Sequence, residues 1–260
     1  MNKLVSVIIP TYNMGNHILE SIASLLNQTY KHIEIIVVDD GSTDNTEKLI
    51  KKLIKKQKNI RYIKQSKQTN SAARNKGIKK SKGDYIIFLD ADDDLPVKSI
   101  EYRVNYLEKY QNIDCVYGNT AYIDKKNKIK YIKKSYRNIK PIDFLTFNAT
   151  PFIPMTLMYK KNVFNKIGLF DTSIIRSQDA DICYKSVKYL EIGYLNKTLY
   201  NYHKYSHKLF ERVIINIKQL IGKYKVINKN TNKFTRIYLL VSNTLFFPIK
   251  LIHQFIFFNK

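Results

Sequence analysis

The chain is expected to fold as an α/β protein with a mostly parallel central sheet flanked by helices. Two observations carry this expectation. Short apolar runs rich in β-branched residues alternate with segments of helical period, and turn residues or acids mark nearly every junction. The resulting β-α-β-α order implies parallel strands joined by right-handed crossovers. With 260 residues, the chain can bury a sizeable core as one large domain or as a domain with an appendage.

In chain order, Leu4 to Ile9 form an apolar strand that stops at Pro10, and a Thr11-Tyr12-Asn13 loop follows. Ile18, Ile22, Leu25 and Leu26 recur at helical spacing. Ile33 to Val38 is a second strand ending in Asp39-Asp40-Gly41-Ser42, after which Asp44 and Glu47 have the spacing of a capping box for a Lys-rich helix. Ile60 to Ile63 reads as a short strand and Asn70 to Lys80 as a helix. Tyr85 to Leu89 is a buried strand that runs into Asp90-Ala91-Asp92-Asp93-Asp94. Beyond it come a helix near Ile100 to Tyr110, a strand from Asp114 to Tyr122, and a hairpin or surface loop from Lys125 to Lys140 carrying eight Lys/Arg. A short helix at Val163 to Ile167, a turn at Gly168 to Asp171 and a helix from Gln178 to Leu190 complete the first 205 residues. The stretch from Pro141 to Pro154 resists assignment.

Composition narrows the partners. Lys+Arg 45 against Asp+Glu 21 gives a net charge of +24, which suits an anionic partner: a nucleotide, a nucleic acid or an acidic membrane. The accompanying abundance of Asn, Ile and Tyr makes charge alone weak evidence for nucleic acid, and none is expected. Cys115 and Cys183 lack metal-site spacing and form no disulfide framework. No signal-peptide pattern is read at Met1-Asn2-Lys3, so a cytoplasmic setting is expected. With eight glycines and no G-x-G pair, neither a dinucleotide fingerprint nor a P-loop is present.

Chemistry concentrates where strands end. In an open α/β sheet, ligands bind at the carboxyl ends of the strands, where Asp39, Asp40, Asp90, Asp92 and Asp93 should converge. Crowded carboxylates repel one another unless a cation relieves them, and an all-oxygen set favours Mg²⁺ or Mn²⁺, which also bind substrate phosphates. Arg74 could supply a further positive charge. The competing reading is a solvated acidic turn that caps the helix after Pro96, and Asp94 is in any case expected to be a helix-capping residue there.

Four blocks then acquire a common meaning. Val5-Ser6-Val7-Ile8-Ile9-Pro10-Thr11-Tyr12-Asn13, Val37-Val38-Asp39-Asp40-Gly41-Ser42-Thr43-Asp44, Ala73-Arg74-Asn75-Lys76-Gly77 and Phe88-Leu89-Asp90-Ala91-Asp92-Asp93 together resemble family 2 glycosyltransferases of the GT-A (Rossmann-like) fold. The likeness extends more weakly through Gly168-Leu169-Phe170-Asp171 and Gln178-Asp179-Ala180-Asp181, to about residue 205.

The resemblance implies a nucleotide-binding half over about residues 1–110 and an acceptor-binding half over about 111–205. It implies nucleotide contacts from Pro10, Thr11, Tyr12, Asp40, Arg74 and Asp90, with Asp39 as a structural neighbour. Asp92 or Asp93 would hold a divalent metal, Mn²⁺ or Mg²⁺, on the diphosphate. Asp179 would be the base of an inverting single displacement from a nucleotide-sugar, UDP-linked, to a growing glycan; the basic, aromatic tail suggests that this acceptor is lipid-linked, as in capsule, O-antigen or exopolysaccharide synthesis. Gln178 stands where the family has Glu, and Asp181 is the fallback base. Tyr12 as a core aromatic and Arg74 as a surface cation are the bland alternatives.

Residues 206–260 form a basic, aromatic-rich helical tail. From Asn201 onward there are eleven Lys/Arg and one acid, Glu211. Pro248, Lys250, His253 and Gln254 interrupt its apolar end, so it is expected to lie on the anionic cytoplasmic face of the plasma membrane rather than span it. A helix packed on the catalytic domain is the alternative. His203 and His207 could contact diphosphate or acceptor, or lie on the surface. A nucleotidyltransferase, or a nucleic-acid-binding protein, remains as another class.

Overall fold

A computed structural model describes residues 3–124, 127–135, 138–146, 151–203, 209–237 and 239–244, with the side chains of 209–216 not described. Its centre is one eight-stranded sheet. Four parallel strands come first: β1 (Val5–Thr11), β2 (Ile33–Asp39), β3 (Ile60–Lys64) and β4 (Tyr85–Phe88). They lie in the order β3-β2-β1-β4. Helices α1 (Ile18–Leu26), α2 (Thr46–Ile54) and α3 (Asn70–Lys80) make the crossovers. Every residue of β1, β2 and β4 is buried, as a sheet covered on both faces requires.

Beyond β4 the sheet becomes mixed. After α4 (Ser99–Lys109) come β5 (Cys115–Ile123), the exposed β6 (Ile129–Lys133) and β7 (Met158–Lys160). The short α5 (Phe164–Ile167) and α6 (Gln178–Tyr189) lead to β8 (Ile192–His203). β7 is antiparallel to both β4 and β5, β6 is antiparallel to β5, and β8 runs parallel along the other side of β5. Sequence reading missed β7 and β8. β7 has only three residues, and the polar Asn196, Lys197 and Thr198 interrupt the pattern of β8 where its register with β5 shifts. The unassigned 141–154 stretch contains 3₁₀ turns at Pro141–Phe144 and from Pro154 to Thr156.

Two local expectations are corrected. The Asp44/Glu47 capping box does not form: Asp44 accepts from the Thr46 and Gly15 amides, while Glu47 is paired with Lys51 and Lys64. Asp94 does not cap α4, which starts at Ser99 after Lys98. It instead accepts from Asn201 Nδ2 at 2.7 Å, with its backbone bridged to the same residue.

The tail begins with α7 (Leu209–Asn230), which packs on α6 and buries Val226 and Ile227. Leu239 and Asn243 are buried farther on, and Asn243 Nδ2 donates to the Leu145 carbonyl. His207 and the aromatic end at 245–260 lie outside the described residues.

Candidate active site

The reversal of strand order between β1 and β4 opens a crevice at their carboxyl ends. Pro10 contributes to this opening. Leu4, just before β1, and Ile8 within it accept from Tyr85 and Leu89 on the β4 side, whereas Thr11 accepts from Asp40 on the β2 side. Pro10 therefore faces β4, beyond the last paired residue Phe88, where its missing N–H breaks no ladder bond. A cleft of about 500 Å³ lies here, bounded by Pro10, Thr11, Tyr12, Asp40, Asp90 and Asp92 on the strand ends and by Ala73 on α3. Ile175, Arg176 and Gln178 close it from the segment entering α6.

Much of the motif chemistry is structural. Asn13, at φ 54°, accepts from the Thr43 amide and donates its own amide to Ser42 Oγ; the Met14 amide donates to Thr46 Oγ1. The first two blocks thus interlock. Asp39 is fully buried and accepts from the Ser42 amide at 2.7 Å and the Tyr62 hydroxyl at 2.5 Å. Asp40, its neighbour, faces the cleft and accepts at one oxygen from Gln65 Nε2 and the Gln68 amide. Neither glutamine was singled out in the sequence, because each acts from a loop distant in the chain. Lys67 lies over the Tyr12 ring at 3.9 Å, so Tyr12 edges the cleft rather than filling the core.

The third block sits on α3. A Cβ on Gly77 would fall 2.3 Å from Ile8 Cγ2, so only glycine lets α3 lie this close to β1. That approach carries Arg74 inward, to 1% exposure, which rules out a surface cation. Its guanidinium spans two carboxylates: Nη2 donates to Asp90 Oδ1 at 2.8 Å and Nη1 to Asp179 Oδ1 at 2.9 Å. Phe170 and Met155 pack beside it. Asn75 clamps the Phe170 backbone with hydrogen bonds of 2.8 and 2.9 Å, while Phe88 packs edge-on against the Phe170 ring. Residues 105 positions apart in sequence are thereby joined.

The acidic run divides. Asp90 and Asp92 line the cleft, whereas Asp93 does not. Asp93 is 3% exposed, and its oxygens accept from the Tyr200 hydroxyl and the His203 amide. Burial, reinforced by the charges of Asp90 and Asp92, pushes its carboxyl up to about 9. Burial and Asp90 also raise Asp92. His203 turns its ring to Asp94, with Nε2 2.5 Å from Oδ2. Tyr200, which went unnoticed in the sequence because β8 did, thus fixes Asp93.

Among the described residues no cluster of three His, Cys, Asp or Glu could hold a metal by itself. Asp90 and Asp92 still fit a hard cation. Two carboxylates face one cleft, burial and then the Asp90 charge raise Asp92, and Mg²⁺ or Mn²⁺ commonly takes its other ligands from phosphate oxygens and water.

Asp179 leaves the first turn of α6 with 34% of its side chain exposed. Burial, foremost, and the Asp90 charge raise its carboxyl, while Arg74 opposes the shift. Asp181 is fully buried and bound to Lys185 and Asn230; Gln178, not Asp179 or Asp181, is the α6 residue that lines the cleft, and Asp179 reaches its edge through Arg74 and Asp90. Thr11 Oγ1 and Gln178 Oε1 have no protein partner although both residues bound the cleft.

This architecture is the GT-A fold. It matches S. aureus TarS 1-349 in complex with UDP-GlcNAc at TM-score 0.66 and 20% identity, covering 91% of this chain and 70% of that one. It also matches the mannosyltransferase PcManGT from Pyrobaculum calidifontis, in complex with GDP-Man and Mn²⁺, at TM-score 0.68 and 16% identity over 96% and 71% of the two chains. The chain belongs to glycosyl transferase family 2, whose model matches residues 6–168.

Relatives include an uncharacterized glycosyltransferase of Rickettsia felis, 37% identical over 74% of this chain and 32% of its own length. One from Haemophilus influenzae is 35% identical over 71% of this chain and 73% of its own, and GlyG of Streptococcus pneumoniae is 30% identical over 79% and 72%. The chain thus spans about a third of the Rickettsia relative's length.

Proposed function

We propose that this glycosyltransferase moves a sugar from a UDP-sugar to a lipid-linked glycan acceptor, with inversion at the anomeric carbon, during assembly of a cell-surface polysaccharide. The Arg74 bridge between Asp90 and Asp179 carries the reading. It ties the carboxylate at the diphosphate end of the cleft to a carboxylate free of helix-capping duty and open to an incoming hydroxyl. Pro10, Thr11, Tyr12 and Asp40 hold the nucleoside, and residues 111–205 receive the acceptor. Uridine is preferred because the S. aureus neighbour binds UDP-GlcNAc.

In this mechanism Asp179 takes the proton of the acceptor hydroxyl as that oxygen bonds to the anomeric carbon. The bond from that carbon to the diphosphate breaks on the opposite side, and the nucleoside diphosphate departs. Asp92 and Asp90 would hold Mn²⁺ or Mg²⁺, which when bound would supply positive charge to offset that building on the departing diphosphate. Arg74 holds both walls at a fixed separation, and the Ile175–Gln178 segment limits water entry.

A thermal-shift screen of UDP- and GDP-sugars with and without Mn²⁺ tests donor binding, since a ligand of the native state raises apparent stability by mass action. Asp92→Ala should lose the Mn²⁺-dependent part of the shift. Asp179→Asn should keep the shift and lose transfer; near-native turnover in that variant would show that another group is the base.

The proposal includes peripheral association with the cytoplasmic face of the plasma membrane. Phe234 is 85% exposed and shares an outward face with the exposed Ile237 and Val241, while Leu239 and Asn243 point inward. No helix among the described residues is long and apolar enough to cross a membrane. Lys218, Lys225 and Lys233 supply positive charge on exposed turns of the same region.

A further inference from the structure

We propose that α7 is a positioning element of the catalytic site, with Gly222 and the Gln219 carbonyl setting the backbone from which Asp179 projects. The proposal rests on the reading of Asp179 as the base. Asp179 lies two residues beyond Ser177, which adopts a left-handed conformation (φ 65°, ψ 16°) that a residue with a Cβ adopts at an energetic cost. A serine preceding a helix ordinarily caps it by accepting an amide hydrogen bond. Ser177 makes no such cap; its hydroxyl donates to the Gln219 carbonyl of α7 at 2.9 Å. Its own carbonyl receives the first amides of α6, from Ala180 and Asp181 at 3.0 and 3.2 Å. The first turn of α6, and Asp179 with it, therefore hangs from a residue whose conformation is held by α7.

Gly222 makes this hold possible. A Cβ there would lie 2.1 Å from the Arg176 carbonyl oxygen and 3.2 Å from Ser177 Oγ. The obstacle is backbone, which cannot swing aside as a side-chain tip can. Further ties bracket the same segment: Lys229 to Asp171 at 2.5 Å before it, and Asn230 Nδ2 to Asp181 Oδ1 at 3.1 Å after it. Tyr184 adds a hydrogen bond to the Asn230 carbonyl. Ile175, Arg176 and Gln178 lie within the bracket and form one wall of the cleft. The helix that opens the tail thus completes the wall and orients the base, a role separate from membrane contact.

The test compares full-length wild type, Gly222→Ala, Ser177→Gly and Asp179→Asn. Ser177→Gly removes the tie to Gln219 while relieving left-handed strain, so it reads the proposal even where Gly222→Ala fails to fold. The measurements are UDP release from the UDP-sugar that wild type hydrolyses fastest, and UDP affinity by calorimetry with Mn²⁺. Misplacing a reacting group by about 1 Å can cost about 100-fold. The expectation is a kcat lowered roughly 10- to 100-fold in Gly222→Ala and Ser177→Gly, with UDP affinity changed by no more than about threefold, because the nucleoside contacts do not touch α7. A merely structural role would lower the unfolding temperature and the active fraction without separating kcat from binding. Wild-type kcat in Ser177→Gly and in folded Gly222→Ala, with Asp179→Asn inactive, overturns the positioning role alone. Turnover retained in Asp179→Asn overturns the base assignment, and the proposal with it.

Discussion

Replacing Arg74 by Met tests the centre of the site most directly. Methionine keeps much of the apolar contact with Phe170 and Met155 but removes the only guanidinium that bridges Asp90 and Asp179 among the described residues. Removing one partner of a buried ion pair costs about 3–5 kcal/mol, because the remaining charge is left uncompensated. Here the carboxylates are 25% and 34% exposed, so water screens part of the loss and about 2–3 kcal/mol is expected. For a chain of this size that corresponds to roughly 4–12 °C in unfolding temperature.

The pH dependence supplies the check. Burial already raises the Asp179 carboxyl against the opposing pull of Arg74, so without Arg74 it should lie further above its unfolded value. A group raised in this way favours folding below its unfolded pKa and loses that contribution as pH rises through its folded pKa. The deficit of Arg74→Met against wild type should therefore be largest near pH 7.5 and shrink toward pH 4. Urea unfolding followed by circular dichroism measures it. A deficit under about 0.5 kcal/mol at pH 7.5, or one equal at both pH values, would refute the argument. Arg74→Lys should recover only part of the loss, because an ammonium cannot span both oxygens as a planar fork does.

Other consequences follow from the same geometry. Gly77→Ala should push α3 off β1, costing about 1–3 kcal/mol through overpacking despite better helix propensity, and should weaken UDP binding by displacing Arg74; unchanged stability and binding would disprove the close-approach argument. Burial raises Asp179, so with Asp179 as the proposed base the acid limb of kcat should fall at a pH above the ordinary carboxylate value of about 3.9, and should vanish in any variant that supplies no base there. Phe234→Ser with Ile237→Ser should reduce sedimentation with anionic vesicles while leaving UDP binding unchanged; undiminished sedimentation would assign that face to something other than lipid.

The parallel half of the fold was legible because its strands are buried on both faces and therefore read as unbroken apolar runs, with β1, β2 and β4 the clearest. The antiparallel half was not. β7 takes its identity from the two strands it lies between, and β8 is partly exposed, with a register shift against β5 that hides its alternation. The acidic strand ends were likewise visible as residues, but not their allotment. Asp40 and Asp90 turn toward the cleft, Asp39 becomes a buried acceptor, and Asp93 is drawn to Tyr200, a strand that sequence reading had not found. The capping-box pattern at Asp44 and Glu47 failed because tertiary partners, Gly15 and Lys64, compete for the same carboxylates.

By itself the sequence determined the α/β class, the first three crossovers, the blocks that mark family 2 and several residues that line the cleft at the strand ends, since local pattern and short-range turn chemistry suffice for these. Only the tertiary structure decided which carboxylates share Arg74, that Asp179 is partly exposed beside Arg74 while Asp181 is buried against Lys185, and that α7 grips the backbone ahead of Asp179. These depend on contacts between residues 40 to more than 100 positions apart, where burial and steric fit, rather than sequence periodicity, choose the partner.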